Sequence, residues 1–140
     1  MQKRILAALL SLLCVVGVAP TAISASADTP TSVGTYWISL QSITLTMSYS
    51  GGQVTWNGLL MGGTTTVGMS ATYTLQKKNA NGTYTNIATW GPYSSTSYML
   101  SSSGSATTSK GTYRLTVNGT VIYNIGAVET VTDNLEKTFK

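Results

Sequence analysis

The chain has 140 residues, of which 8 are lysine or arginine, 4 are acidic, 1 is cysteine and none is histidine. A single cysteine excludes an intramolecular disulfide framework, and the sparse positive charge forms no cluster suited to a nucleic-acid backbone. Without histidine, acid–base catalysis at neutral pH would need a tuned carboxylate pair. We therefore expect a protein that is not an enzyme and does not bind nucleic acid.

Residues 1–27 have the pattern of a helical, cleavable secretory signal peptide. A positively charged start precedes an apolar run over residues 5–18, and the segment ends in Ala25-Ser26-Ala27. This A-x-A pattern predicts cleavage after Ala27, with Ala25 and Ala27 as the recognised small residues. The apolar run is shorter than the roughly 20 residues of a membrane-spanning helix. The sequence therefore predicts a secreted, extracellular protein with no stable membrane insertion after cleavage.

We divide the rest into a flexible leader over residues 28–34, a β-sandwich domain over residues 35–133 and a polar C-terminal tail over residues 134–140. In the domain, apolar residues alternate with serine and threonine, and this period of two is typical of strands with one buried face and one solvent face. Turn signals containing glycine separate the alternating segments. The pattern predicts strands over residues 42–49, 53–60, 67–78, 83–90, 96–101, 111–118 and 120–131.

Several boundaries depend on local signals. Gly91-Pro92 is predicted to end the fourth strand, a serine-rich loop is expected over residues 102–110, and Asn118-Gly119 is typical of a hairpin turn. In the fourth strand Tyr84, Ile87 and Trp90 cannot share one face unless the strand contains a β-bulge. With about seven to eight strands and no helix after the signal, the expected fold is an all-β, antiparallel β-sandwich, and a closed barrel is the alternative.

The segment Lys110-Gly111-Thr112-Tyr113-Arg114-Leu115-Thr116-Val117 resembles strand F of immunoglobulin-like domains. In that family a tyrosine near the start of this strand bonds back to the preceding loop, forming a tyrosine corner. The resemblance implies this structural role for Tyr113, and it implies the strand letters A, B, C, C′, E, F and G for the segments above. The chain lacks the cysteine pair of antibody-type domains.

A second resemblance is to small secreted proteins of unknown function from Gram-positive bacteria. It involves Leu75-Gln76-Lys77-Lys78, Gly82-Thr83-Tyr84, Ala88-Thr89-Trp90 and Lys110-Gly111-Thr112-Tyr113-Arg114. The resemblance implies a bacterial, extracellular protein and supplies no catalytic residues.

Aromatic residues are the best candidates for a binding site. Tyr36, Trp37, Trp90 and Tyr93 lie near predicted strand ends or turns, where we expect them to be exposed. Exposed aromatic rings suit sugar rings and protein interfaces, so the hypothesis is a site for a cell-surface glycan or protein. Packing in the core is the alternative for each of the four.

The acidic residues Glu129, Asp133 and Glu136 could together offer oxygen ligands to a hard cation, but a solvated C-terminal strand and tail explains them better. We expect no catalytic residue, metal or cofactor. The function predicted is a non-enzymatic extracellular binding or adhesion module. One alternative is a structural, self-assembling surface protein, because the threonine-rich and weakly charged strands protect their edges poorly. A secreted bacteriocin-like factor is the other.

Overall fold

The structure is a computed structural model that describes residues 40–140. Seven strands follow one another in this range: β1 (Leu40–Ser50), β2 (Gln53–Gly62), β3 (Thr66–Lys78), β4 (Tyr84–Ser95), β5 (Met99–Thr107), β6 (Gly111–Tyr123) and β7 (Val128–Phe139). These residues contain no helix that could cross a membrane. The predicted signal peptide and leader, together with Ala25, Ala27, Tyr36 and Trp37, lie outside the described residues.

The seven strands form two sheets. One has three strands in the order β1-β2-β5, and the other has four in the order β4-β3-β6-β7. All neighbouring strands are antiparallel. Apolar side chains of both sheets enclose a common core in which Trp56, Tyr73 and Tyr113 are the largest buried residues. The predicted all-β, antiparallel sandwich is therefore confirmed, and its two separate sheets rule out the closed-barrel alternative.

Alternation determines which side chains enter this core. On β3 the buried residues are Met69, Ala71, Tyr73 and Leu75, as the period of two predicts. Val67, expected on the same face, is instead 48% exposed. The register of β3 against β6 shifts between Thr66 and Gly68, and this bulge turns the residue between them away from the core.

Glycines on the three-stranded sheet make room for aromatic rings of the core. The rings of Trp56 and Tyr73 stack with their centroids 4.3 Å apart. A Cβ atom on Gly58 would lie 2.7 Å from the hydroxyl oxygen of Tyr73, and one on Gly104 would lie 2.7 Å from Nε1 of Trp56. Both distances are too short for real atoms, so the two rings lie against backbone where only glycine fits.

The predicted turn at Asn118-Gly119 is wrong. β6 continues through both residues, pairing with β3 on one side and β7 on the other. A Cβ atom at Gly119 would overlap the carbonyl oxygen of Ser70, so the glycine allows β6 to lie close to β3 at this point. The turn falls at residues 124–127, where Gly126 has a φ of 79°. Consequently β7 extends to Phe139 and contains most of the predicted tail.

Two further boundaries differ from the prediction. β4 continues past Gly91-Pro92 to Ser95, and β5 includes residues to Thr107 that were expected in a loop. Both strands lie at the edge of their sheet. An edge strand has one row of backbone groups without a strand partner, so it tolerates proline, which lacks an N–H, and small residues with little to pack.

Candidate functional site

The outer face of the four-stranded sheet carries an open groove with a volume of about 420 Å³. It is formed by alternate residues of four adjacent strands, which point away from the core while residues between them, such as Leu75 and Leu115, are buried. Its lining consists of hydroxyl, amide and guanidinium groups: Thr74, Gln76, Asn86, Arg114, Thr116, Asn118 and Asn134. We call this feature the polar groove.

Strand register arranges the side chains in and beside the polar groove in cross-strand rows, whose end members Glu136 and Thr89 do not line it. The first, which we call the arginine row, consists of Asn86, Gln76, Arg114 and Glu136. The second, which we call the threonine row, consists of Thr89, Thr74, Thr116 and Asn134. Neighbouring strands are about 4.8 Å apart, so side chains within a row can reach one another.

Gln76 orients Arg114 and Asn86 in the arginine row. Its Oε1 accepts hydrogen bonds from Nε and Nη2 of Arg114 at 3.1 and 2.7 Å. Its Nε2 donates to Oδ1 of Asn86 at 2.6 Å. Because one amide oxygen takes two donors of the same guanidinium group, it restricts both the position and the plane of that group.

Tyr84 supports the same guanidinium group from its other side. The Cζ atom of Arg114 lies 3.8 Å from the centroid of the Tyr84 ring, a close cation–π contact. The Tyr84 hydroxyl donates to Oε2 of Glu136. This hydrogen bond to a carboxylate, which favours the neutral phenol, is the main reason that the pKa of Tyr84 is raised above its usual value.

The carboxylate of Glu136 does not pair with Arg114, although the two residues are opposite each other on β6 and β7. It contacts the Tyr84 hydroxyl and, at 3.6 Å, Nζ of Lys78. Within residues 40–140, the one ion pair is that of Lys78 with Glu136. The guanidinium group in the polar groove therefore has no carboxylate partner in this part of the chain.

The threonine row leaves hydrogen-bonding groups free. Within it, the hydroxyl oxygens of Thr74 and Thr89 are 3.4 Å apart, and in a neighbouring cross-strand pair Thr132 donates to Asn118 at 3.0 Å. By contrast, the side chains of Thr116 and Asn134 make no hydrogen bond with other residues in the range 40–140. A ligand in the polar groove would find a hydroxyl and an amide already facing it.

The chemistry that these groups offer is hydrogen bonding and one positive charge. The lining contains no carboxylate, thiol or imidazole that could exchange a proton near neutral pH. Among residues 40–140, no group of three or more potential metal ligands clusters. The arrangement is thus suited to holding a polar molecule on the surface of the sheet.

The structure describes two of the four predicted binding aromatics, and neither belongs to the polar groove. Trp90 is half-buried with its ring 5.2 Å from that of Trp56, and Tyr93 is half-buried with its ring 6.1 Å from that of Tyr73. The expectation that both are exposed therefore needs correction. Register shifts in the pairing of β3 with β4 allow residues spaced by three to face the core together.

Tyr113 is fully buried at the start of β6. Its hydroxyl donates to the carbonyl oxygen of Ser109 and lies 2.8 Å from the hydroxyl of Thr108. The residue thus ties β6 to the loop that precedes it. Its role is structural, and its side chain lies on the opposite face of the sheet from the polar groove, which begins with the next residue of β6, Arg114.

Sequence reasoning missed the polar groove. Alternation predicts solvent-facing positions for Gln76 and Arg114, but nothing in it connects them with Asn86 and Asn134. Strand pairing, which brings four distant segments into register, is not visible in the alternation of a single strand. No family model matches the chain, and no curated protein matches it.

Proposed function

We propose that this protein is a secreted, non-enzymatic binding module of a Gram-positive bacterium, built on an immunoglobulin-like sandwich, and that its polar groove binds a cell-surface glycan. Export is supported by the signal-like pattern of residues 1–27. The immunoglobulin-like assignment is supported by the pairings β2–β5 and β3–β6, which correspond to B–E and C–F in that class, and by the hydrogen bond between Tyr113 and the preceding loop.

The polar groove is the observation that carries this proposal. A sugar ring presents several hydroxyl groups, each of which donates and accepts hydrogen bonds. Amide side chains such as Asn86 and Asn134 also offer both kinds of group, and Arg114 adds fixed donors. The polar groove is open to solvent and crosses four strands, so it could accept part of a longer polymer.

Binding of glycans to the secreted form of the protein tests the proposal. Affinity electrophoresis and titration calorimetry against a panel of neutral and acidic polysaccharides and peptidoglycan would identify a ligand. Replacing both Asn86 and Asn134 by alanine should weaken binding about tenfold or more, because each change removes hydrogen bonds worth about 1 kcal/mol.

Asn57→Ala is the matched control for these variants. Asn57 is also an exposed asparagine, but it lies on the three-stranded sheet, where it makes one long hydrogen bond to Thr46. We expect this variant to bind as the unchanged protein does. Absence of binding across the whole panel would refute the proposal, and equal losses in the two sets of variants would refute the polar groove as the site.

The alternative of structural self-assembly has less support from the sheet edges. The Tyr93 hydroxyl donates to the carbonyl oxygen of Ser103 on β5 at 3.4 Å, and Lys137 donates to that of Met47 on β1 at 2.9 Å. Each bond occupies an edge carbonyl of the three-stranded sheet that another strand would need. Sedimentation at high concentration would distinguish the two functions, since self-assembly requires oligomers without a glycan.

A further inference from the structure

We infer that the ligand of the polar groove is anionic, and that Arg114 binds a carboxylate or phosphate group carried by its repeating units. This inference rests on the proposed function and names the class of glycan. Its basis is the electrostatic state of Arg114, whose positive charge has no carboxylate partner within residues 40–140 although Glu136 is its direct cross-strand neighbour.

The guanidinium group of Arg114 is held in place but not neutralised. Gln76 takes one N–H from Nε and one from Nη2, and the ring of Tyr84 lies 3.8 Å from Cζ. The Nη1 hydrogens and the second Nη2 hydrogen remain available. Since guanidinium pairs well with the two oxygens of a carboxylate or phosphate, a group fixed in this way loses little conformational freedom when an anion binds.

The neighbouring carboxylate is held away from this position. Glu136 is engaged by the hydroxyl of Tyr84 and lies 3.6 Å from Nζ of Lys78. In this arrangement the carboxylate is paired with groups other than the guanidinium group. Tyr84 and Lys78 thus hold it apart from an arginine that lies opposite it across the strands.

Positive charge is concentrated on the side of the molecule where Arg114 lies. The basic residues of the range 40–140 all occur near the end of β3, the start of β6 or the end of β7: Lys77, Lys78, Lys110, Arg114, Lys137 and Lys140. Glu136 is the acidic residue near that end, whereas Asp133 is in the middle of β7 and Glu129 is near its start. Such a distribution attracts polyanions and makes their binding sensitive to salt.

The experiment compares three probes with the secreted form of the protein by titration calorimetry: polygalacturonate, its fully methyl-esterified form and poly(glycerol phosphate). The ester has the same sugar units without the charge. We expect at least one charged probe to bind about tenfold or more tightly than the ester, and binding to weaken with added salt. Which charged probe binds distinguishes a carboxylate ligand from a phosphate ligand.

Three variants test the role of Arg114. Arg114→Gln should lose the preference for the charged probe, and Arg114→Lys, which keeps the charge without the fork of donors, should retain part of it. Lys110→Gln removes a charge at the same end outside the polar groove and should change binding less than about twofold. Thermal unfolding of each variant verifies that it is folded.

The outcomes separate this inference from the proposed function. Binding of the methyl ester that is as tight as that of both charged probes, or tighter, would overturn the anionic ligand and leave a glycan-binding function in place. Equal losses in Arg114→Gln and Lys110→Gln would show general attraction of polyanions and would overturn the role of Arg114. Failure of both charged probes to bind overturns the inference, while the proposed function fails only if the wider panel is negative as well.

Discussion

The outer faces of the two sheets are both polar, yet they differ in what they could bind. On the three-stranded sheet the outward side chains are mostly short hydroxyls, such as Thr46, Thr55 and Ser103, and none of its strands contains a charged residue. On the four-stranded sheet, Gln76 and Arg114 extend across the strands and meet each other. A binding site thus depends on long side chains in matching register, beyond the polarity that both faces share.

The inner faces differ in a complementary way. The three-stranded sheet supplies glycine positions, Gly58 and Gly104, against which aromatic rings lie. The four-stranded sheet supplies Tyr73 and Tyr113, two of the largest fully buried side chains. The stability of the sandwich therefore depends on bare backbone of the three-stranded sheet, against which lie the ring of Tyr73 from the other sheet and the ring of Trp56 from the same sheet.

The largest loss of stability is expected from adding a side chain at Gly58, where the ring of Tyr73 lies against the backbone. In Gly58→Ala the new methyl group would overlap the ring of Tyr73, which is fully buried and cannot move aside. Overpacking of this kind costs about 1–3 kcal/mol, measured as the free energy of unfolding in denaturant. Gly68→Ala, on the four-stranded sheet, is the control, because its methyl group would be 3.6 Å from the nearest atom. Similar losses in both variants would contradict this difference between the sheets.

A smaller loss of stability is expected from removing a tyrosine hydroxyl that bonds to the loop between β5 and β6. Each sheet contributes one such tyrosine. Tyr113→Phe removes contacts with Ser109 and Thr108 at a fully buried position, and we expect a loss of about 1–2 kcal/mol. Tyr49→Phe removes a 3.2 Å bond to the Thr108 carbonyl from a half-buried residue, with an expected loss of about 0.5 kcal/mol. Urea unfolding would check the order, and a larger loss in Tyr49→Phe would reverse it.

The smallest expected effect is on the titration of Tyr84, which lies on the four-stranded sheet. The hydrogen bond to Glu136 raises the pKa of Tyr84 above its usual value. The stabilisation from a raised tyrosine pKa is fully present below the pKa of the unfolded chain and is lost as pH rises through the higher pKa of the folded form. The change of stability with pH therefore falls in alkaline solution. In Glu136→Gln the pKa should fall, as followed by phenolate absorbance with Tyr84→Phe to assign the signal. An unchanged titration would show that Glu136 is not the cause.

Several features of the fold could be predicted from alternation because burial acts on each strand separately. Alternation predicts core positions for Val54, Trp56, Tyr73 and Leu75, and all four are buried. Prediction failed where one backbone approaches another. Asn118-Gly119 has the local chemistry of a turn, but its glycine permits contact with Ser70 in the middle of a sheet.

The candidate site could be predicted only in its parts. Arg114 follows Tyr113 in a strand whose alternation is plain, so its outward direction is evident from the sequence. Its partners Gln76 and Asn86 are distant along the chain, and a register shift of one residue would turn either of them towards the core. The half-buried positions of Trp90 and Tyr93 were missed for a related reason, since they depend on bulges in the pairing of β3 with β4.

The sequence by itself determined which chemical groups this protein contains and the class of its fold. Period-two alternation identified strands with one apolar face, because burying such faces against each other is the favourable way to remove them from water. Only the tertiary structure decided the register, and with it the polar groove and the separation of Glu136 from Arg114. Register is a property of pairs of strands, so side chains that no local pattern connects become neighbours only when the sheets have formed.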